Sequence, residues 1–344
     1  MKYVGVDLHK HSITVCVMEI VRGKRKVSVR RTFSCKSIEE IRAFFENIEE
    51  FEVVVEATAN YEWFFLLIED LAARLMLAHP KKLRVIAESK HKSDKVDAQV
   101  LAEFLALDMI PEAWRPSPRV RQHRVLVRHR HWIQGRITSL KCKLRDKLAH
   151  YNADIAELFT SRGEEHLARL AISDADRFVV EHLQQQLALL TKQLAEADAK
   201  LAEFAEAAPA GEQEAREVLD TIPQVGAVTI DVVLSELGDW RRFRSAKRAV
   251  SYAGLDPGCR QSDRKRHELK ITKEGSKLLR WVLVEAAWRL VGRYRRWGQI
   301  YEKLKRNTGS CKKAIVGVAR RLLCVMFSLL RRGQAYRMAL DTTG

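Results

Sequence analysis

The pattern of apolar and polar residues divides the first 78 residues into short strand-like runs and stretches of helical spacing. Three consecutive runs rich in β-branched residues predict an antiparallel meander, with Gly23 in the turn between the second and the third. The predicted strands are 3–7, 12–20, 26–33, 51–56 and 75–78, and the predicted helices are 37–47 and 61–74. The order, βββαβαβ, predicts an α/β domain.

This order of elements is the one found in RNase H-like (RuvC-like) folds, which we therefore expect for the N-terminal part of the chain. A further helix is predicted from about Ser93, where apolar residues recur at helical spacing. Pro111, Pro116 and Pro118 then interrupt the pattern. We expect the first domain to cover residues 1–115.

Residues 116–208 are expected to form a basic helical and coiled-coil region. Between residues 119 and 150 the pattern is helical and strongly cationic, and Asp146 is the single acid. A solvated helix face would explain some of these charges. So many cations beside one acid favour a helix that follows a nucleic acid.

A heptad seam occupies the second half of this region. Its apolar residues have a 4-3-4-3-4-3 spacing and are Leu183, Leu187, Leu190, Leu194, Ala197, Leu201 and Phe204. The seam predicts either a helical hairpin within the chain or self-association, and the sequence leaves both open.

Residues 209–344 are expected to form a third region, mostly helical and cationic from Lys273 onward. The segment from Thr221 to Gly226 lies between helical stretches and resembles a helix-hairpin-helix. In that motif the backbone N–H groups of a tight, glycine-containing turn face a phosphate.

Composition narrows the class of partner. The chain has 344 residues, of which 47% are apolar, as in ordinary globular proteins. Lys and Arg number 61 against 44 Asp and Glu, and the resulting formal charge of +17 favours a polyanion over a membrane surface. The residues expected to contact nucleic acid are Arg121, Arg124, Arg128, Arg136, Lys141, Lys143, Arg145, Lys273, Arg280, Lys312 and Lys313.

The sequence also favours a cytoplasmic location. No apolar run is long enough for a bilayer-spanning helix, and Met1 leads directly into a strand-like segment. The six cysteines are scattered, without a C-x-x-C pair. They are expected to be buried or incidental thiols rather than a disulfide or zinc framework.

Four acids stand out by position, and we call Asp7, Glu56, Asp94 and Asp97 the acid quartet. Asp7 ends the first predicted strand, Glu56 ends the fourth, and the other two lie about one helical turn apart. Adjacent strands would bring Asp7 and Glu56 side by side, and the i,i+3 spacing puts the remaining pair on one helix face. Each acid alone fits a strand end, a cap or a surface position. Together they favour a metal site.

Oxygen-only ligands point to Mg²⁺ or Mn²⁺, because clustered carboxylates repel each other unless hard cations bind. Two such ions commonly assist displacement at a phosphodiester, one at the nucleophile and one at the leaving oxygen. His9, His11 and His91 flank the acids. Phosphate contact or solvation suits them better than ligation of Mg²⁺, which prefers oxygen.

Several motifs resemble those of the insertion-sequence 110 family of transposases. The acid quartet, within Val6-Asp7, residues 55–58 and residues 92–98, matches the family's DEDD motif one acid for one. The C-terminal transposase motif of the family is matched by residues 252–257, Ser262, residues 271–275 and Leu279-Arg280. The resemblance covers nearly the whole chain in the expected order.

The resemblance implies a transposase that cleaves and exchanges DNA strands. Ser262 matches the family's nucleophile, which forms a phosphoserine intermediate with DNA while the acids hold the metal. The implied partners are donor and target DNA, a structured noncoding bridge RNA from the same element, and further copies of the chain. A homo-oligomer, dimer or tetramer, is implied because in this family the composite site joins domains of different protomers.

Other interpretations remain open at this point. The family usually has glycine after the serine, whereas this chain has Asp263, and Ser251 is the substitute nucleophile. Without Ser262 the chain would be a hydrolytic RuvC-like nuclease or Holliday-junction resolvase. A non-catalytic nucleic-acid-binding protein would leave the acid quartet unexplained. An actin-like ATPase or sugar kinase would need glycine-rich phosphate loops, which the sequence lacks.

Overall fold

The computed structural model describes residues 1–57, 61–86, 94–262 and 265–337. For residues 84–86, 94–96, 259–262 and 265–269 it describes the backbone alone. The chain forms two compact units, Met1–Arg115 and Pro116–Gly344. The regions 116–208 and 209–344, which the sequence treats separately, therefore belong to one unit.

A five-stranded mixed sheet forms the centre of the first unit. Its strands are β1 (Lys2–Leu8), β2 (Ser12–Val21), β3 (Lys24–Ser34), β4 (Phe51–Glu56) and β5 (Arg74–Ala78), in the order β3-β2-β1-β4-β5. β2 is antiparallel to β1 and β3, while β1, β4 and β5 are parallel. The predicted order βββαβαβ is confirmed, and the arrangement is that of an RNase H-like α/β domain.

Helices cover both faces of this sheet. They are α1 (Ile38–Glu46), α2 (Tyr61–Ile68), α3 (Pro80–Ile86) and α4 (Asp94–Ala106). Phe45 of α1 and Phe64 of α2 pack with Val4 and Val6 on one face. Residues of α4 pack on the other face, where Leu105 lies in a cluster with Tyr3.

Two predictions about the helices were wrong. The predicted helix 61–74 ends at Ile68, because the chain then joins the sheet, with the Ala73 N–H donating to the Phe51 carbonyl at 2.9 Å. Helix α3, which begins at Pro80, was not predicted from the sequence. Proline is tolerated in the first turn of a helix, where its missing N–H costs nothing.

The second unit contains nine of the described helices and one β-hairpin. The helices are α5 (Pro118–Ala149), α6 (Ser161–Arg169), α7 (Asp174–Glu206), α8 (Ala210–Asp220), α9 (Ala227–Leu237), α10 (Ala246–Tyr252), α11 (Lys277–Arg293), α12 (Arg295–Thr308) and α13 (Cys311–Arg332). The hairpin strands are β6 (Pro257–Ser262) and β7 (Lys265–Ile271), which pair antiparallel. Residues 209–344 are mostly helical, as expected, and the hairpin is an addition that the sequence did not predict.

The long helices α5 and α7 lie antiparallel against each other. Arg119, near the start of α5, donates to the Phe204 carbonyl at 2.8 Å, and Lys147, near its end, pairs with Asp176 at 2.7 Å. Leu187 of the heptad seam packs in a cluster with Leu144 of α5. The chain thus covers part of the seam itself, as the intramolecular alternative expects.

No helix among the residues that the structure describes is long and apolar enough to cross a membrane.

Candidate functional site

Asp7 and Glu56 lie at the carboxyl ends of neighbouring parallel strands. Val6 of β1 is opposite Val55 of β4, so the two acids follow at the next position of each strand. Alternation puts both side chains on the face that carries Gly5 and Val54. Asp7 is only 9% exposed, and Glu56 is partly exposed. The structure therefore brings these two members of the acid quartet to one end of one sheet face.

Helix α4 lies directly on that face. A Cβ on Gly5 would come within 2.0 Å of the Ala98 carbonyl oxygen and 2.4 Å of the Ala102 nitrogen. Tyr3, at the other end of β1, clusters with Leu105 near the end of the helix. α4 therefore runs antiparallel to β1, and its first turn lies toward the end of the sheet that carries Asp7.

That first turn contains the rest of the acid quartet. Asp94 is the first residue of α4, and its side chain lies outside the described part of the structure. Asp97 follows one turn later and is exposed. The backbone thus gathers all four acids at one end of one sheet face, between two strand ends and a helix start.

The quartet offers only carboxylate oxygens, the donor set that suits a hard divalent cation. Within the described ranges, which leave out the Asp94 side chain, no three His, Cys, Asp or Glu side chains approach closely enough to hold a metal ion. The carboxylate oxygens suit a divalent cation, and the side chains that the structure describes do not enclose a complete metal site.

His9 also belongs to this end of the sheet. Its Nε2 lies 3.2 Å from Oδ2 of Asp7, and its side chain is 53% exposed. The sequence favours phosphate contact or solvation for His9, and the contact with Asp7 was not predicted. The signal was the i,i+2 spacing, which puts the two side chains on one face of an extended chain.

Ser262 is the last residue of β6, opposite Lys265 of β7. The structure does not describe the side chain of Ser262 or any part of Asp263. Ser251, the substitute nucleophile, is an exposed residue near the end of α10. The backbone of Ser262 lies at the end of the hairpin that is farther from the base of the hairpin.

The base of this hairpin is closely packed. Gly254 has a φ of +69°, and a Cβ there would lie 2.7 Å from the Glu274 nitrogen. A Cβ on Gly275 would lie 2.1 Å from the Tyr252 carbonyl oxygen. Only glycine allows the loop after α10 to approach the loop before α11 this closely. The motif glycines thus fix the base of the strand that ends at Ser262.

Several cations expected to contact nucleic acid have partners within the chain. Arg128 forms two hydrogen bonds with the buried Glu236 carboxylate, at 2.9 and 3.0 Å. Arg124 donates to the Ser235 carbonyl at 2.8 Å. Arg280 donates to the Gly275 carbonyl at 2.6 Å, and burial lowers the pKa of its guanidinium. These arginines hold helices and loops together.

The same holds for three further residues of the set. Arg145 pairs with Asp154 at 2.8 Å, and Arg121 donates to the Pro116 carbonyl at 2.6 Å. Lys141 lies 4.8 Å from the centre of the Phe159 ring. Besides Arg128, the exposed cations of the predicted set are Arg136, Lys143, Lys273, Lys312 and Lys313.

The segment that resembles a helix-hairpin-helix connects α8 to α9. Ile222 and Val225 are buried, whereas Gly226, the N-cap of α9, is exposed. Gly226 has a φ of −91°, and a Cβ there would meet nothing within 4 Å. Neither its backbone conformation nor its packing against the described part of the chain requires glycine. An approach from outside, such as that of a phosphate, would require it.

A buried polar cluster holds α8 and α9 against α5. His123 Nε2 lies 2.9 Å from Asp231, and Arg216 lies 2.8 Å from the same carboxylate. Burial alone would raise the pKa of the Glu212 carboxyl. The hydrogen bond from Arg119 and the nearby cations outweigh burial and hold that pKa below its ordinary value. This cluster could not be predicted from the sequence, since its members are far apart in the chain.

The chain is similar to known proteins over almost its whole length. Residues 4–153 match a family described as "Transposase", of the DEDD type, and residues 216–302 match one described as "Transposase IS116/IS110/IS902 family". It is 23% identical to a pilin gene-inverting protein of Moraxella bovis, over 97% of both chains. It is 22% identical to the transposase for insertion sequence element IS1111A of Coxiella burnetii, over 98% of this chain and 92% of the other.

Proposed function

We propose that the chain, a DNA recombinase whose residues 4–153 and 216–302 match transposase families, belongs to the IS116/IS110/IS902 family and exchanges DNA strands through a phosphoserine intermediate on Ser262. The DEDD domain suggests dependence on a divalent metal. We propose that the acid quartet holds this metal, as Mg²⁺ or Mn²⁺. The alternative is a hydrolytic RuvC-like nuclease or Holliday-junction resolvase, which Asp263 beside the serine favours, since its charge would oppose an incoming phosphate.

One observation carries the metal assignment. Asp7 and Glu56 share one end of one sheet face, and the contact of Gly5 with α4 directs the first turn of that helix to the same end. Four carboxylates gathered at two strand ends and one helix start repel one another. A divalent cation would relieve their mutual repulsion.

The proposed reaction proceeds in two balanced steps. The Ser262 hydroxyl loses its proton as its Oγ bonds to the phosphorus, and the bond from phosphorus to a deoxyribose oxygen breaks, releasing that oxygen as a hydroxyl. A hydroxyl of a second DNA end then attacks the phosphoserine, restoring the serine and a phosphodiester. A bound divalent cation would supply stabilisation of the negative charge that develops on the phosphate.

We further propose that a noncoding RNA of the same element guides the enzyme to donor and target DNA. The family resemblance is the ground for the RNA. The formal charge of +17 supports a large polyanionic partner. Exposed cations such as Arg136, Lys143 and Lys312 would contact backbones, while base pairing between RNA and DNA would read the sequence.

Strand cleavage by Asp7→Asn and Glu56→Gln variants tests the metal assignment. We expect cleavage to fall at least about 100-fold, because each change removes a charged ligand, while DNA affinity stays within about twofold. Asp108→Asn is the matched control, since Asp108 is an 87% exposed acid beyond the far end of α4. Cleavage at the wild-type rate in both test variants would refute the proposed metal site.

A further inference from the structure

The outer face of α5 carries a strip of exposed residues. Its residues follow a 4-3-4-3-4 spacing, and all six are exposed: Val125, His129, Trp132, Arg136, Ser139 and Lys143. We call them the outer strip. The buried side of the helix, with Ile133, Ile137 and Leu144, faces the rest of the unit. No acid occurs between residues 118 and 145, and Arg136 and Lys143 give the strip a net positive charge.

Trp132 lies at the middle of the outer strip and is 51% exposed. The His129 ring is nearly parallel to it, with an angle of 12° and ring centroids 5.9 Å apart. The Arg136 guanidinium lies 5.3 Å from the indole centroid. The exposed tryptophan, with a guanidinium over its ring and an imidazole nearly parallel to it, forms a stack of planar groups that a further planar group can extend.

Gly135 leaves space beside this surface. It lies in the middle of a 32-residue helix, is exposed, and a Cβ there would meet nothing within 4 Å. Glycine destabilises a helix interior relative to alanine, and no contact with the residues that the structure describes explains its presence. A bulky ligand next to Trp132 would explain it, because any side chain at this position would occupy part of the same space.

We propose that Trp132, flanked by His129 and Arg136, is a stacking site for an unpaired nucleobase of the bound nucleic acid. The proposal rests on the proposed function, which supplies the nucleic acid. A base offers its π-face to a side chain only when it is unstacked, so the site selects unpaired segments over duplex. Lys143, farther along the outer strip, is placed to contact the backbone of the same strand. An apolar protein partner would not favour so cationic a strip.

The test compares short unstructured RNA and DNA strands of equal sequence with a duplex, by fluorescence anisotropy on the full-length protein. The variants are Trp132→Ala and Trp132→Phe. Phe178→Ala is the matched control, since Phe178 is 60% exposed and contacts His182 at a ring distance of 4.1 Å, but on the acidic start of α7. Circular dichroism verifies that each variant is folded.

We expect Trp132→Ala to weaken single-strand binding by about 5- to 100-fold, the usual range for loss of one stacked base. Trp132→Phe should recover most of that loss, and the duplex affinity and the Phe178→Ala variant should remain at wild-type values. The strand type that depends more on Trp132 identifies the source of the base as RNA or DNA.

Equal weakening of duplex and single strands in Trp132→Ala, or no weakening at all, would overturn the stacking site while leaving the proposed function intact. Failure of the wild-type protein to bind any of the three nucleic acids would instead contradict the proposed function itself.

Discussion

At the scale of single residues, Gly5 determines the geometry of the acid quartet. Its missing side chain lets the α4 backbone lie directly on β1, with the Ala98 carbonyl oxygen where a Cβ would be. Asp7 lies two residues further along the same face of the strand. The missing side chain of Gly5 thus sets the position of α4, and the first turn of α4 contains two of the proposed metal ligands.

Gly5→Ala should disturb both stability and cleavage. Its Cβ would lie 2.0 Å from a backbone oxygen, so α4 must shift. We expect the free energy of unfolding to fall by about 1–3 kcal/mol and cleavage to fall more than about tenfold. Thermal unfolding and a cleavage assay measure the two effects. Gly292→Ala, at an exposed helical glycine with open space, is the control. Wild-type behaviour of Gly5→Ala would refute the close contact.

Gly226→Ser tests the phosphate role of the turn between α8 and α9. Serine is at least as good an N-cap as glycine, so the unfolding temperature should not fall. The added side chain would obstruct a phosphate approaching the exposed N-terminus of α9, and we expect duplex affinity to drop about tenfold. Gly292→Ser is the control. Unchanged affinity in a titration at fixed salt would show that this turn does not bind DNA.

The apolar pattern of the sequence predicted the positions of Asp7 and Glu56. It did not predict contacts between residues that are far apart in the chain. Asp7 and Glu56 were predictable because each ends an apolar run, and Phe51–Glu56 is a strand with the predicted bounds. The pair His123–Asp231 was not, because its members are 108 positions apart and meet only when α5 packs on α9. The internal partners of Arg124 and Arg128 were hidden for the same reason.

At the scale of elements, the α5–α7 hairpin decides what the heptad seam does. Leu187 packs with Leu144 and Leu148 of α5, whereas the sequence left hairpin and self-association equally open. Periodicity gives the apolar face of a helix but not the identity of the surface that covers it. The packing favours the hairpin for this part of the seam.

Leu187→Ala separates the two uses of the seam. Because Leu187 is partly buried against α5, we expect the free energy of unfolding to fall by about 1–3 kcal/mol, with no change in mass by light scattering. Leu189→Ala is the matched control, since Leu189 on the same helix is 56% exposed. A lower mass with unchanged stability would make the seam an interface between copies.

The hairpin of β6 and β7 could not be predicted from the apolar pattern of the sequence. β6 and β7 are short and largely polar, so neither shows the apolar run or the clear alternation that predicts a strand. Their pairing depends on the base, where Gly254 and Gly275 bring two loops together. The motif glycines were visible in the sequence, but the contact that explains them was not.

At the scale of the whole molecule, the proposed chemistry is divided between two compact units. The acid quartet belongs to Met1–Arg115, and Ser262 belongs to Pro116–Gly344. The proposed reaction requires both sets of residues. The family resemblance implies that they come from different protomers, a division that can be tested without knowledge of the assembly.

Mixing two inactive variants tests that division. If Asp7→Asn and Ser262→Ala chains form mixed dimers at random, half of the dimers are mixed and each contains one intact composite site. We then expect about a quarter of the wild-type cleavage activity. The separate variants serve as controls. No recovery, although light scattering of differently tagged chains shows mixed oligomers, would mean that one protomer supplies both sets.

Covalent trapping is the most direct test of the proposed phosphoserine intermediate on Ser262. Wild-type protein is incubated with Mg²⁺, the element's noncoding RNA and matching DNA, then denatured and resolved on a gel beside Ser262→Ala and Asp7→Asn. We predict a protein–DNA adduct in the wild type that is absent from both variants. Cleavage without an adduct, at equal rates in wild type and Ser262→Ala, would contradict the phosphoserine mechanism and identify a hydrolytic nuclease.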